Sequence, residues 1–316
     1  MRNHTPVTTF ILLGLTDDPQ INTFIFIILF VTYTFSIVGN LTIIILTFVD
    51  AHLKTAMYYF LRNLSFIEMS FTSSCIPRFL YSIATGDRTI TYNGCACQVF
   101  LTDLFGIADF FLLATMSYDR YVAICKPLHY TTIMNPLTCK KLLSGCWVIT
   151  LLLLLPPLGY GLTLEFCNSE IDHFVCDAKP LLKISCSDSE FLENMVLFSA
   201  SFLLFVTLSF AIWSYGRIIR TILGFPSAQQ KKKAFSTCSS HFIVVSITYG
   251  SCMFIYIKPS AKDEMAINKG ITVFATSTIP MLNPLIYTLR NKQVKKALND
   301  FVKQRLLWGP QRYHGG

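Results

Sequence analysis

Charged side chains inside apolar stretches are the residues of this sequence best placed to do chemistry. Asp119 and Arg120 stand side by side at the end of a long apolar run, and Glu68, Asp103 and Asp109 interrupt two such runs. A charge within a membrane is costly and usually marks a functional site. Such acids could hold water or a cation, and an adjacent acid–base pair could open and close as a switch.

Two amide side chains are expected at the depth of two of these acids. Asn40 and Asn283, with Glu68 and Asp109, predict an internal polar cluster that holds water or a cation such as sodium. The alternative is hydrogen bonding that only sets helix packing, and the two are compatible. We expect no other cofactor and no metal centre.

The runs that carry these residues are long enough to cross a membrane. The chain has 316 residues, of which 53% are hydrophobic and only 14% charged, whereas a soluble domain carries about 25% charged residues. An apolar helix of about 20 residues spans a bilayer. Seven such stretches are predicted, at residues 23–49, 57–80, 95–122, 141–162, 193–223, 235–258 and 269–290. The expected fold is an all-α membrane protein, a seven-transmembrane helical bundle.

The distribution of basic residues predicts the orientation. Lys and Arg are in excess on the inner side when the N-terminus is placed outside, and the net charge of +8 reflects this bias rather than nucleic-acid binding. We therefore expect an extracellular tail at 1–22, the membrane domain at 23–290 and a cytoplasmic segment at 291–316. The first span is too long for a cleavable signal peptide and should act as an anchor. The sequon at Asn3 would then be exposed to glycosylation.

A short amphipathic helix is predicted after the seventh span. Apolar residues recur there at helical spacing with Lys and Arg opposite: Val294, Ala297, Leu298, Phe301 and Val302. This pattern favours a helix lying on the lipids of the inner leaflet. A soluble amphipathic tail is the alternative.

Cysteines and histidines suggest structural roles. Five of the eleven cysteines fall on the predicted outer, oxidising side: Cys95, Cys97, Cys167, Cys176 and Cys186. Bridges there would constrain the long loop at 165–193, but spacing alone does not fix the pairs. His173 and His241 are expected to be polar loop or packing residues rather than ligands. No hydrolase, phosphate-loop or dinucleotide-binding pattern is present, so we expect no enzymatic activity.

Several motifs carry a resemblance to a known family. "DRY" ends the third span and "NPLIY" ends the seventh, as in the rhodopsin-like G-protein-coupled receptors. Longer stretches are similar to those of vertebrate olfactory receptors of class II, over nearly the whole chain. They are "MSYDRYVAICKPLHY" from Met116, "SYGRIIRTIL" from Ser214, "KAFSTCSSH" from Lys233 and "PMLNPLIYTLRN" from Pro280.

The resemblance implies a switch at the inner side. Arg120 would be held by Asp119 in the inactive state and released in the active state towards Tyr215, Tyr287 and the G protein. The residues implied in coupling are Asp119, Arg120, Tyr121, Tyr215, Lys233, His241, Asn283, Pro284 and Tyr287. We also expect Arg120 to reach water along its side chain, so that opening the pair costs little. A purely structural ion pair is the alternative.

The resemblance also implies a ligand pocket between the third, fifth, sixth and seventh helices. It should be apolar with a few polar groups. Matching positions are Thr102, Asp103, Phe105, Gly106, Ser199, Leu203, Tyr249, Cys252, Met253, Tyr256, Val273 and Thr276. Asp103 could anchor an amine or a hydroxyl, or be capped by Tyr256 or a loop lysine.

The family further implies bridges Cys95–Cys176 and Cys167–Cys186, which leave Cys97 free, although Cys95–Cys186 stays open. The implied function is an odorant receptor for small, mainly apolar volatile molecules. It would activate a stimulatory, olfactory-type heterotrimeric G protein at the plasma membrane of sensory cilia and raise cAMP. A rhodopsin-like receptor for a non-odorant ligand is the alternative. A transporter would predict inverted repeats, which the sequence does not contain.

Overall fold

The molecule is a bundle of long helices with a small sheet at one end. The computed structural model describes residues 7–257 and 264–307. In chain order the helices are α1 (Pro19–Val49), α2 (Ala56–Thr85), α3 (Tyr92–Cys125), α4 (Tyr130–Ile133), α5 (Pro136–Gly161), α6 (Ala178–Lys183), α7 (Glu190–Leu223), α8 (Ala228–Ile257), α9 (Glu264–Val273), α10 (Ile279–Arg290) and α11 (Lys292–Leu307). Each predicted span falls on one long helix, or, for the seventh, on α9 and α10 with a π-helical turn between them.

Four of the described helices are long and apolar enough by themselves to cross a membrane: α1, α3, α5 and α7. Large apolar side chains on these helices face outwards, where a soluble protein would carry polar groups. Phe24, Leu152 and Phe205 are 64%, 67% and 73% exposed. A continuous apolar exterior of this kind is suited to lipid rather than water.

Helix α3 is the centre of the bundle. It packs against α2, α5, α7 and α8, while α1 packs against α2 and α10. The main core cluster therefore combines residues from several helices around α3, including Leu112 and Val122, which are fully buried. Polar side chains on the core-facing side of α3 consequently lie inside the protein and need partners there.

Local sequence signals explain where several helices begin. Asp18 caps α1 by accepting from the backbone N–H of Gln20 at 2.8 Å, and Pro19 fills the first helical position. Asn135 caps α5 in the same way through the N–H of Thr138 at 2.9 Å. α2 ends at Gly86, whose φ of +75° is a conformation that favours glycine.

The seventh segment is irregular in its middle. The π-helical turn at Phe274–Thr278 directly precedes the proline-containing start of α10. Ser277 donates to the carbonyl of Val273 at 2.6 Å, which satisfies a backbone acceptor directly before the turn. The sequence analysis did not predict the π-helical turn.

The predicted helix after the seventh span is α11, and part of its apolar face contacts protein. Val294 and Ala297 are buried and belong to the main core, whereas Val302 is 45% exposed. Tyr58 at the start of α2 donates to Gln293 at 2.6 Å. The first turns of α11 are therefore anchored to the bundle.

A three-stranded sheet, which the all-α expectation did not include, caps the end of the bundle that the charge distribution predicts to be outer and that is called the outer end below. Strand β1 (Thr9–Leu12) lies between β2 (Thr89–Thr91) and β3 (Glu170–Ile171), antiparallel to β2 and parallel to β3. Phe10 and Leu12 point inwards and are buried. Part of the predicted N-terminal tail is thus an ordered strand that joins two loops.

Close packing between α1 and α10 gives a testable prediction. A Cβ on Gly39 would lie 2.9 Å from the Cβ of Pro284, closer than side chains tolerate. Gly39→Ala should therefore lower the unfolding free energy by about 1–3 kcal/mol through overpacking. Thermal unfolding of the detergent-purified protein measures this.

Gly145 in α5 provides the matched control, because nothing lies within 4 Å of the position that a Cβ would take there. Gly145→Ala should be neutral or stabilising by up to about 1 kcal/mol, since alanine favours the helix. Equal stability of the two variants would contradict the close contact between α1 and α10.

Candidate functional site

The charge pair at the inner end of α3 is closed and buried. Arg120 donates from Nε to Oδ2 of Asp119 at 3.0 Å, and a second guanidinium nitrogen contacts the same oxygen. The side chains of Arg120 and Asp119 are only 6% and 1% exposed. The expectation that Arg120 reaches water is therefore wrong for this state, because the neighbouring helices enclose the guanidinium.

Tyr130, in α4, is a third member of this pair that the sequence motifs did not predict. Its hydroxyl donates to Oδ1 of Asp119 at 2.8 Å. Burial, and next to it the Asp119 charge, raises the pKa of Tyr130 well above its ordinary value, so the phenol keeps its proton and can donate. Asp119 thus accepts hydrogen bonds from two directions, which compensates for its burial.

Among the described residues, the hydrogen bonds to the Asp119 side chain come from Arg120 and Tyr130, and the other predicted coupling residues have different partners. Tyr215 shares a hydrogen bond of 2.6 Å with Nδ1 of His241, and both side chains are buried. Tyr121 packs its ring on Trp213, with centroids 4.9 Å apart. Lys233 is exposed near the start of α8. The Tyr287 hydroxyl is buried without a hydrogen-bond partner among the described residues.

Three of the four predicted cluster residues meet in the middle of the bundle. Asn283 donates to Oε1 of Glu68. Glu68 and Asp109 both line an internal cavity of about 110 Å³. Within the described chain, one oxygen of Asp109 is buried with no hydrogen-bond partner. Asn40 instead donates to the carbonyl of Pro280 at 3.0 Å, so it ties α1 to α10 rather than joining the acids.

No metal centre is formed by the part of the chain that the structure describes. Among those residues, no three His, Cys, Asp or Glu side chains converge as ligands would. Oxygen-rich metal sites need several such ligands around one point. Glu68 and Asp109 are the carboxyl groups in the otherwise mainly apolar wall of the internal cavity.

A larger cavity of about 300 Å³ lies near the outer end, between α3, α5, α7 and the loop that follows α5. Its walls are mostly aliphatic, including Leu154, Leu158 and Leu192. Phe10 of β1 contributes to its outer end. This volume is at the lower end of the range for ligand pockets, so it suits small, mainly apolar molecules.

The predicted pocket residues divide between several environments. Asp103, Ser199 and Leu203 line the outer cavity, and Gly106 and Cys252 line the internal one. Phe105 contacts Phe66 and Trp147 instead. Four of the others lie on helix faces that border neither of these cavities: Thr102, Tyr249, Val273 and Thr276. Met253 is exposed on the outside of the bundle. The side chain of Tyr256 lies outside the described residues, as does Asn3.

Two disulfides fix the loop over the cavity. Cys95 is bonded to Cys176, and Cys167 to Cys186, which are the pairs implied by the resemblance. Cys97 is free and exposed. Gln98 of α3 reinforces the first bridge by accepting from the N–H of Cys176 at 2.9 Å. The loop is thereby held against the outer end of α3.

Polar contacts tie the remaining outer segments together. Lys269 of α9 contacts Asp172 at 2.5 Å and the carbonyl of Gly14 at 3.0 Å. Arg88 pairs with Asp17 at 2.9 Å. His173 is buried, and burial lowers the pKa of its imidazole below the ordinary value, so it is neutral and acts as a packing residue. The cap thus joins the N-terminal segment, the loop after α5 and α9.

Asp177 is a cavity residue that the sequence motifs did not predict. It lines the outer cavity with Asp103, and it caps α6 by accepting from the N–H of Ala178 at 2.7 Å. The sequence feature that could have predicted this role of Asp177 is its position next to Cys176. A bridge from Cys176 to α3 brings Asp177 over the cavity. Phe10 had no comparable signal, since its burial depends on pairing between distant strands.

Comparisons with known proteins agree with this architecture. The family "7 transmembrane receptor (rhodopsin family)" matches residues 39–287. Human olfactory receptor 6C2 is 66% identical over 305 residues, which cover 96% of this chain and 98% of that protein. Human olfactory receptors 6C68 and 6C74 are 62% and 61% identical with the same coverage.

Among solved structures, that of squid rhodopsin is similar in fold. The TM-score is 0.71 over 92% of this chain and 87% of that one, at 15% sequence identity. At this identity the likeness concerns the arrangement of the helices alone.

The outer cap gives a prediction for backbone protection. Phe10→Ala should detach β1, because removing a buried phenylalanine costs about 3–5 kcal/mol. The N–H groups of Ile11, Leu12 and Leu13 bond across the sheet at 2.7, 2.9 and 3.0 Å, so their hydrogen exchange should accelerate. Exchange measured by mass spectrometry tests this.

Thr9→Ala is the matched control, since Thr9 is exposed on the same strand. It should leave exchange across β1 unchanged. Full protection of β1 in the Phe10→Ala variant would show that the ring is not what holds the strand.

Proposed function

We propose, on the premise that this chain belongs to the olfactory receptors within the rhodopsin-like seven-transmembrane receptor family, that it detects small volatile molecules and activates a stimulatory G protein. It is a membrane receptor and not an enzyme. The proposal specifies the class of ligand, the type of G protein and a rise in cAMP as the signal. The observation that carries it is the closed, buried pair of Asp119 and Arg120.

The pair explains how the inner side could stay silent without a ligand. A buried arginine needs its counter-ion, because an uncompensated charge in the protein interior costs several kcal/mol. Tyr215 is engaged with His241 and is not bonded to Arg120. In the proposed active state Arg120 leaves Asp119 and turns towards Tyr215, Tyr287 and the G protein.

The ligand is proposed to act from the outer cavity. Its walls are mainly apolar, so burial of an apolar ligand there is favourable. A ligand shifts the receptor only by its difference in affinity between the two states. Binding against α3 and α7 would favour the arrangement in which the inner ends of these helices release Arg120.

The internal cavity is proposed to couple the two ends. Glu68, Asp109 and the buried hydroxyl groups around them leave polar atoms that water or a sodium ion could satisfy. Because Glu68 is bonded to Asn283 of α10, a change in occupancy would reach the seventh segment. Pro284 beside Asn283 packs on α1 at Gly39, so this part of α10 has little freedom to move alone.

We propose that the receptor lies in the plasma membrane of sensory cilia with its N-terminus outside. The disulfides and the capping sheet lie at the same end, which suits the oxidising extracellular side. α11, with Lys on its exposed side, would then contact the inner leaflet and its anionic lipids. Glycosylation at Asn3 belongs to the same proposal.

A cell assay tests the function. Cells displaying the receptor should raise cAMP when challenged with an odorant panel, and Arg120→Ala at equal surface level should reduce that response at least about tenfold, because the G protein loses its arginine contact. Lys141→Ala, which removes an exposed basic residue elsewhere on the inner side, serves as the control.

An unchanged ligand response in Arg120→Ala would contradict the proposed switch. A rise in calcium without a rise in cAMP would point to a different G protein. Activation by a non-odorant agonist would support the alternative of a rhodopsin-like receptor with another ligand.

Cys97 allows a separate test of the orientation. It is free and exposed at the capped end, whereas the cysteines of the capping loop are bridged. A membrane-impermeant maleimide should label the receptor on intact cells, and Cys97→Ser should abolish labelling of the receptor. Cys139→Ser, at a buried thiol in α5, should leave it unchanged. Labelling that requires permeabilised cells would place this end inside.

A further inference from the structure

We propose that the preferred ligands are small amines, whose ammonium group binds Asp103 in the outer cavity, with Asp177 lining the outer level of the same cavity. This inference rests on the proposed receptor function and names the ligand class for its site. Both carboxyl groups line the same cavity of about 300 Å³. They come from different elements, Asp103 from α3 and Asp177 from the start of α6.

The two carboxyl groups are held in place by the fold. The bridge between Cys95 and Cys176 fixes Asp177 over α3, with Cα atoms of the cysteines 5.5 Å apart. Asp103 follows Cys95 by eight residues, about 12 Å further along α3. Both carboxyl groups therefore line one cavity, Asp177 at its outer level and Asp103 at its deeper level.

Neither carboxyl group has a cationic partner within the described part of the chain. Asp103 makes no hydrogen bond or ion pair there, and Asp177 accepts only from its own helix terminus. Nearby cations are used elsewhere: Lys269 pairs with Asp172, and Arg88 pairs with Asp17. Lys179 and Lys183 of α6 are exposed, and neither lines the cavity.

Two acids that have no cationic partner among the described residues are costly in an apolar cavity, and a cationic ligand removes that cost. A carboxylate in a low-dielectric site is stable only when paired and hydrogen-bonded. An ammonium group supplies three donors and a compensating charge, and charge-assisted bonds are about twice as strong as neutral ones. The remaining walls are aliphatic, so they fit a hydrocarbon body attached to the amine.

The cavity size restricts the class further. About 300 Å³ accommodates a short alkyl or single-ring amine but not a long-chain one. Phe10, Phe166 and Tyr92 form an aromatic wall at the outer end, with the rings of Phe10 and Phe166 centred 5.2 Å apart. Aromatic faces attract cations, which favours the same ligands.

Probes matched in shape test the proposal: n-heptylamine, 1-heptanol and heptanal. Binding is measured by the thermal shift of the purified receptor, and signalling by cAMP in cells. The amine should bind at least about tenfold more tightly than the alcohol. Asp103→Asn should remove this advantage while leaving 1-heptanol binding in place, which also shows that the variant folds. Asp177→Asn should reduce the amine advantage to a lesser degree.

Glu170→Gln is the matched control, since it removes an exposed acid of β3 that does not line the cavity. It should keep the preference for the amine. Equal affinity of amine and alcohol, or an amine preference that survives in Asp103→Asn, would overturn the proposal. Amine-induced stabilisation without any cAMP response would support this site while contradicting the proposed coupling.

Discussion

The structure depends most on how one buried arginine is neutralised. Arg120 sits where α3, α7 and α8 converge, and its guanidinium has Asp119 as its direct counter-ion. Because an unpaired charge in this place would cost several kcal/mol, the pair restricts which arrangements of the inner helix ends are stable. Tyr130 adds a hydrogen bond to the same carboxylate. The closed state is thus a defined arrangement with a small number of contacts that a second state must replace.

Helix α3 connects this pair to the other two polar levels. Asp103 lines the outer cavity, Asp109 lines the internal cavity, and Asp119 begins the inner motif. Asp103 and Asp119 are sixteen residues apart, which is about 24 Å along a helix. A ligand at one end and a G protein at the other would therefore act on the same packed element. Such coupling requires two discrete arrangements of that element and not a continuous deformation.

The sequence predicted well those features that depend on local pattern. Hydropathy located the seven spans, and short motifs located Asp119–Arg120 and Asn283, whose partners lie on the same or a neighbouring helix. It missed features that arise from distant pairing. β1 has four residues and no strong strand pattern, and it is ordered because two loops far along the chain flank it. The positions of Asp177 and Tyr130 depend likewise on where loops return to α3, and the cavity position depends on side-chain packing among several helices.

We infer that the contacts to Asp119 keep the receptor inactive. Basal cAMP in the Tyr130→Phe variant tests this inference most directly. That variant loses only the hydroxyl that donates to Asp119, and Tyr118→Phe is the control because its ring packs on Tyr121 and Phe210. A hydrogen bond to a charged group contributes about 1.5–3 kcal/mol. At equal surface level we predict a severalfold rise in basal cAMP for Tyr130→Phe and none for Tyr118→Phe. Unchanged or lower basal cAMP in Tyr130→Phe would contradict the inference.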